Sequence, residues 1–476
     1  MRHARGGAVA LAGLSIGLAA GSTSSAQSQL DLARQNIKHV VIIMQENHSF
    51  DTYFGTFPGA DGIPPGTCVA NDPSLPNRGC RLPFHNTSPI EAGGPHAHAS
   101  YTTDYDNGHM DGFIYAQVNA AINCQPPTNP NCASYPEGVR RRDVIGYHDA
   151  TDIPNYWTYA RTFVLQDHMF ESVANWSYPS HLAMVSGWFA TCRTAPTSCQ
   201  PVGTPDPLSE VKLHPFAWTY LPYLLDADHV TWKYYVSAGL EPDCEDGGMT
   251  CVEKPQTSAT VNIWNPIPGF ELFSQQVRVN PQYKSHVTDF NTIVADLSNG
   301  TLPSVSWIVP GANVSEHPPN NIVNGMNYVT MLINLIAKSQ YGGNTAIFVS
   351  WDDWGGFYDH VPPPISVVNP ALGPNSIYGW GMRVPGLVIS AWAKPGVVDH
   401  QYLSFDNYNR FIEDLFMGGA RLDPATDGRP DNRPAVTEAI TQVKDPVSGA
   451  TIPVGDLLND FDFSLPPRTI PILPTD

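Results

Sequence analysis

The stretch HVVIIMQENHSF, residues 39–50, reads as a buried strand that ends in a polar cluster. Val40 to Met44 is an unbroken apolar run dominated by β-branched side chains, with no polar alternation. A strand of this kind is covered on both faces, as in a parallel sheet. In open α/β sheets ligands lie beyond the carboxyl ends of the strands. Glu46, Asn47, His48 and Ser49 therefore stand where chemistry is expected, although a helix cap or a solvated turn would place the same residues there.

A second run of this kind, NTAIFVSWDDWGG (344–356), ends in Asp352 and Asp353. Around these two, Ile37–Met44 is the first strand, and TDIPNYWTYARTFVLQDHMF (151–170) joins helical spacing to a short apolar run. SHLAMVSGWFA (180–190) reads as a helix opened by Pro179, a residue favoured in a first turn. HVTWKYYVS (229–237) and PSVSWIVP (303–310) read as strands. GMNYVTMLINLIAKS (325–339) is the clearest helix, with Val329, Leu332, Ile333 and Ile336 on one face. VPGLVISAWA (384–393) and the helix YNRFIEDLFM (408–417) follow. Strands alternating with helices imply an α/β fold, a mainly parallel sheet covered by helices on both faces. Residues 55–150 and 190–285 are rich in Pro, Gly and Cys with weak periodicity, and are expected to be loop-rich insertions that wall the site.

The chain opens with MRHAR, an apolar stretch AVALAGLSIGLAA and a small polar stretch, the layout of a secretory signal peptide over residues 1–26. The remaining residues, 27–476, are expected to form one exported domain, secreted or periplasmic, without a stable membrane anchor. A formal charge of −19 repels nucleic acid and offers no polybasic patch to anionic lipid. The eight cysteines fall as Cys68/Cys80, Cys124/Cys132, Cys192/Cys199 and Cys244/Cys251. In an exported protein this favours four local disulfides stapling long loops; a zinc site is the alternative, but no CxxC spacing occurs.

Glu46-Asn47 and Asp352-Asp353 put acids and an amide at two strand ends. Two unit charges about 4 Å apart repel by about 4 kcal/mol at an effective dielectric of 20, so adjacent buried carboxylates call for a cation. An Asp-Asp pair alone is as well explained by a solvated turn; with Glu46 and Asn47 on a second strand, metal ligation is the better account. Oxygen ligands favour a hard divalent ion, one or more in number, over a zinc–thiolate site. ANWSYPSHLAMVSG (174–187) puts Ser177 beside a helix start, where backbone N–H groups and the dipole attract an anion. A serine touching a metal becomes a nucleophile without a histidine base, whereas a serine at a helix start is otherwise a cap. His317 follows the strand SVSWIVP, and EAGGPHAHAS supplies His96 and His98.

ENHSFD, GHMDGF (108–113), WSYPSH, SEHPP, WDDWGGFYDHVPPP and YNRFIEDLF occur in this order between residues 37 and 417. Together they resemble the bacterial phosphoesterase family of acid phosphatases and phosphatidylcholine-type phospholipases C, within the alkaline phosphatase superfamily. The resemblance implies an alkaline-phosphatase-like fold and a metal bound by Glu46, Asn47, Asp352, Asp353 and Ser177. It implies that Ser177 is the nucleophile, that His317 faces the phosphate, and that His96 is a further catalytic histidine, with His98 close enough to exchange with it. Relatives commonly read Pro-Asn where this chain has Pro179-Ser180, which removes any asparagine role there.

The expected activity is hydrolysis of a phosphomonoester or of a phospholipid-type phosphodiester. The chain ends at Asp476, soon after its last motif, without room for the C-terminal domains of larger phospholipase-type relatives, which tilts the expectation toward a phosphatase or small phosphodiesterase. Trp176, Tyr178, Trp351, Trp354 and Trp380 offer the alternative of holding a choline by cation–π contact. A catalytically silent binding protein is the rival reading, and intact nucleophile and metal positions argue against it. A sulfatase would need an arginine after the proline that SYPSH lacks.

Overall fold

The computed structural model describes residues 29–123, 142–187, 191–192, 199–200, 220–243, 249, 254–258, 286–366, 379–422 and 441–475. The main sheet has nine strands: β1 (His39–Gln45), β2 (Val164–Phe170), β3 (Trp232–Val236), β4 (Val287–Asp289), β5 (Val305–Val309), β6 (Thr345–Trp351), β7 (Arg383–Ser390), β8 (Val397–Asp399) and β9 (Leu403–Ser404). Their order is β4-β3-β5-β1-β6-β7-β2-β8, with β9 also on β2. β1 is central and parallel to both neighbours, Val40 lying opposite Val305 on β5 and Ala346 on β6. Every residue from Val40 to Gln45 is buried. Successive side chains point to opposite faces, so both faces are covered, and β6 is buried throughout for the same reason.

β7 alone runs antiparallel to its neighbours β6 and β2. Its register shifts between Val384 and Gly386, where Pro385 has no N–H to give to a ladder. β1, β2, β3, β5 and β6 are mutually parallel and end at one edge. β7 starts at that edge with Arg383, which is fully buried. Its Nε donates to both oxygens of Asp359 (3.0 and 3.1 Å) and its Nη2 to Asp51 Oδ1 (3.0 Å). Nη1 donates to the carbonyls of Asp61 (2.7 Å) and Asp167 (2.9 Å), and the guanidinium lies 4.4 Å over the Phe50 ring. One side chain thus ties together the segment after β1, the segment after β6, and β2.

A helical segment over residues 29–36 precedes β1, and the helices with described bounds that follow are α1 (Phe50–Phe54), α2 (His98–Tyr105), α3 (Phe113–Asn123), α4 (Pro154–Thr162), α5 (Ser177–Ser186), α6 (Leu221–Ala227), α7 (Thr292–Asn299), α8 (Ile322–Lys338) and α9 (Asp406–Phe416). α8 starts earlier than its apolar period suggests, because the Asn321 side chain caps it by accepting from the Val323 N–H. α5 also starts early: Ser177 is its first residue and Pro179 lies within its first turn. The segment expected to be loop-rich, 55–150, contains α2 and α3. α2 (HASYTTDY) has no apolar period to reveal it; Tyr101 and Tyr105 fix it by packing into a cluster with Val69, Phe113 and Trp354.

Cys68 and Cys80 form a disulfide, with Cα atoms 5.4 Å apart, beside the ribbon of Val69–Ala70 and Cys80–Arg81. Cys192 stands opposite Cys199 in a second ribbon. Their side chains, the expected pairs Cys124/Cys132 and Cys244/Cys251, and the signal-like residues 1–26 lie outside the described residues. Among the described residues no helix is long and apolar enough to cross a membrane.

Candidate active site

The strand ends deliver their polar pairs to one place. The Asp352 N–H donates to the Gln45 carbonyl (2.9 Å), extending the β1–β6 ladder by one step. Asn47 then takes a φ of 43°, which turns the chain out of the sheet, and its N–H donates to Asp352 Oδ1 (3.1 Å). Gly355 passes so close that a Cβ there would lie 2.7 Å from the Asn47 Cβ, and its φ of +61° also favours glycine. This is the local reason for WDDWGG. Glu46, Asn47, Asp352, Asp353 and Ser177 are all fully buried. Ser177 Oγ donates to Asp353 Oδ2 (2.9 Å) and lies 3.5 Å from Asn47 Oδ1, while Asp353 Oδ1 accepts from the Gly355 N–H (2.7 Å).

His96 and His317 face this cluster. Their Nδ1 atoms hydrogen-bond the carbonyls of Gly94 (3.0 Å) and Pro318 (2.6 Å), leaving both Nε2 atoms turned inward. Both Nε2 atoms meet Asp243 Oδ1, at 3.2 and 2.8 Å. His98 faces elsewhere, with Nδ1 bound to the Ala174 carbonyl (2.7 Å), so His96 is the histidine of this pair that reaches the site. Burial lowers the His96 pKa, but the charges of Asp353 and Asp243 prevail and raise it to about 10. Burial also opposes ionisation of Asp243, yet the two histidines hold its carboxyl well below the usual range.

The acids are in the opposite condition. Burial, then the charges of Asp352, Asp243 and Asp353, push Glu46 far above the usual carboxylate range. Burial pushes Asp353 up despite His96, with Asp352 and Asp243 adding to it. Glu171, at the end of β2, is raised by burial and by Asp353 and Asp352. Glu46 Oε1 and Asp352 Oδ2 are buried and accept no hydrogen bond from the described residues. The Asn47 amide carries the same signal. With Oδ1 toward Glu46 and Asp352 it faces only acceptors, as cation ligation requires. Turned end for end, Nδ2 donates to Glu46 Oε2 (2.9 Å) and Oδ1 accepts from His96 (3.0 Å) and His317 (3.1 Å). The donor set therefore fits a divalent cation, with Glu46, Asn47, Asp352, Asp353 and Ser177 as its holders.

His317 is presented by a strained neighbour. Glu316 has a φ of 72°, and its buried carboxylate accepts from Tyr53 Oη (2.7 Å), Trp351 Nε1 (2.9 Å) and Tyr156 Oη. Gly325 of α8 makes room, since a Cβ there would lie 2.1 Å from Glu316 Cγ. Burial raises the Glu316 pKa from 4.5 to about 8 against the pull of the three donors. The folded chain thus keeps a proton that the unfolded chain loses between these values. The associated stability is complete below the lower value and lost as pH rises toward the upper one. Thermal unfolding of chelator-treated protein followed from about pH 5 to about pH 8.5 is expected to fall more steeply for wild type than for Glu316→Gln. Parallel slopes would contradict this assignment.

Three residues near the centre were not singled out from the sequence. Glu171 directly follows β2, but Gln166, Asp167 and His168 interrupt that strand, so it lacks the unbroken apolar run that marked Glu46. His181 lies one helical turn after Ser177, with Nε2 3.5 Å from Asp352 Oδ2 and 3.9 Å from Glu46 Oε1, and its i,i+4 spacing was legible. Asp243 had no such mark; it is one acid of a loop that only the fold carries to the histidines. The five aromatic side chains weighed as a choline wall are buried, and the indole N–H groups of Trp351 and Trp354 donate to Glu316 and Asp104.

Residues 37–417 match the phosphoesterase family. The non-hemolytic phospholipase C of Pseudomonas aeruginosa is 27% identical over 425 residues, covering 80% of this chain and 54% of that protein. Phospholipase C B of Mycobacterium tuberculosis is 26% identical over 476 residues, covering 91% and 79%. The chain spans about half the length of the first of these relatives. A solved protein of the alkaline phosphatase superfamily from Vibrio parahaemolyticus superposes with a TM-score of 0.36 at 12% identity, covering 90% of this chain and 91% of that one.

Proposed function

This chain belongs to the phosphoesterase family, and from that premise we propose that it hydrolyses phosphoric esters, with Ser177 as nucleophile at a divalent-metal centre held by Glu46, Asn47, Asp352, Asp353 and Ser177. The observation that carries the reading is the Ser177 hydroxyl, buried at a helix start and bonded to Asp353 Oδ2 at 2.9 Å among acids with unsatisfied oxygens. A cation bound there supplies positive charge for a phosphoryl oxygen and for the serine oxygen as its proton leaves.

The chain's own groups do the rest. The hydrogen bond to Asp353 fixes the Ser177 hydroxyl and gives its proton an acceptor. Ser177 Oγ bonds to phosphorus as the ester oxygen departs with its electron pair, forming a phosphoseryl group and an alcohol. Water then cleaves the phosphoserine, restoring the hydroxyl and releasing the phosphate or phosphomonoester. The inward Nε2 atoms of His96 and His317 face the phosphoryl oxygens, and His96 can pass a proton to the leaving oxygen. Asp243 and the two backbone carbonyls fix both rings before substrate arrives.

The names of the relatives, phospholipases C, favour a phospholipid-type phosphodiester as substrate. The signal-like residues 1–26 support export, and the family match supports one catalytic domain from residue 27 onward. The test is a parallel assay on p-nitrophenylphosphorylcholine, bis-p-nitrophenyl phosphate and p-nitrophenyl phosphate, with and without chelator. The expected result is hydrolysis that chelator abolishes and divalent metal restores, fastest on the choline diester. Greatest activity on the monoester would make the protein a phosphatase. Inactivity on all three with metals restored would leave a binding protein.

A further inference from the structure

The first turns of α5 carry Ser177 and, four residues later, His181. Residues at this spacing lie on one helix face. His181 is fully buried, and its Nε2 stands 3.5 Å from Asp352 Oδ2 and 3.9 Å from Glu46 Oε1. Both of these carboxylate oxygens are buried and accept no hydrogen bond from the described residues. Charge-assisted hydrogen bonds are about 2.7–2.9 Å long, and both contacts are longer than that. The ligand atoms of Glu46, His181 and Asp352 all lie within 4.8 Å of one another, close enough to converge on one ion. The other ring nitrogen, Nδ1, faces the Tyr234 hydroxyl at 3.5 Å, so the ring already presents Nε2 to the acids. Metal-bound imidazoles are held in this way, by a partner on the second nitrogen.

Resting on the metal-dependent reading above, we infer that His181 is a ligand of the active-site metal, converging with Glu46 and Asp352. This changes the ion expected from oxygen ligands alone. Imidazole suits transition ions such as zinc, iron and nickel better than magnesium, calcium or manganese. It also couples the ion to the nucleophile, because ligation at His181 pins the same helical turns that present Ser177.

The test uses the full chain freed of metal by chelation, titrated with Co²⁺, Zn²⁺ and Ca²⁺, comparing wild type with His181→Gln. The readouts are the bound stoichiometry and the cobalt absorption spectrum, with unfolding temperature of the metal-free forms as the check on folding. His181→Gln is expected to weaken cobalt and zinc binding by about 10- to 100-fold or more, to change the cobalt spectrum, and to leave calcium binding nearly unchanged. Identical cobalt spectra and affinities in wild type and variant would overturn the inference and leave the metal-dependent reading intact. Wild type that binds no stoichiometric ion would instead overturn that reading itself. If His181→Gln fails to fold, X-ray absorption on zinc-loaded protein decides: wild type without outer-shell imidazole scattering excludes His181, imidazole scattering retained in His96→Asn,His317→Asn supports it, and its loss there overturns it.

Discussion

Ser177→Ala is expected to lower phosphoric-ester hydrolysis by a factor of at least about 10³ while leaving the fold in place. The loss should be in kcat, because the variant removes the atom that bonds to phosphorus and leaves the phosphate-facing histidines untouched. Stability should change little. The shorter of the two hydrogen bonds open to the hydroxyl as donor goes to Asp353 (2.9 Å, against 3.5 Å to Asn47), and losing it costs about 1 kcal/mol. The measurement is kcat and KM of both proteins on the preferred ester, with thermal unfolding as control. A Ser180→Ala variant, whose hydroxyl lies in the same helical turn, should keep most of the activity. If Ser177→Ala matched wild type, the nucleophile would lie elsewhere, and a water attacking directly would replace the phosphoseryl step.

The second large effect concerns stability. Arg383→Ala should cost about 3–5 kcal/mol at neutral pH, the usual result of removing one partner from a buried ion pair. Arg383 balances Asp359 and Asp51, both buried, and satisfies the carbonyls of Asp61 and Asp167. Burial already raises the Asp359 pKa to about 6, with Arg383 pulling it down and Asp51 pushing it up. Without the guanidinium, that carboxyl would be raised further and enter the fold protonated. The deficit should therefore shrink as pH falls toward about 6, because the variant's folded Asp359 takes up its proton at higher pH than the wild type's, and level off below that. Denaturant unfolding of the two proteins at neutral and acid pH checks both claims. A loss under 1 kcal/mol at neutral pH, or a deficit that grows on acidification, would show that the clasp matters less than its contacts imply. The effect on catalysis should be secondary: His360 and Asp359 belong to the segment that follows Asp352-Asp353, so loosening the clasp loosens the metal-side loop.

Much of this protein was readable from the one-dimensional pattern. Apolar runs at 40–44 and 346–349, rich in β-branched residues, read as strands covered on both faces, and a polar pair shortly after each marks the ligand edge of a parallel sheet. That rule singled out Glu46, Asn47, Asp352 and Asp353, and the helix start singled out Ser177; the fold brings all five together. These signals are local: they depend on strand burial and helix termini, which a few consecutive residues express. α2 was invisible because its stability comes from two tyrosines packed into a distant cluster, not from its own period. The direction of β7 was likewise silent, since a buried strand has the same composition whichever way it runs.

What the tertiary structure alone decided is the set of partners around each atom. Asp243 joins His96 and His317 across 147 and 74 residues of chain, and Arg383 joins Asp51 across 332. No spacing rule connects such positions, because their meeting depends on the order of strands in the sheet. The same holds for the choice between His96 and His98, two residues apart and equal in sequence. One Nε2 faces the acids and the other ring is turned to the Ala174 carbonyl. Sequence determined which groups could carry the chemistry, because residue type and local burial fix that. Only the fold determined which of them share a charge, because electrostatic coupling depends on distance through space and not along the chain.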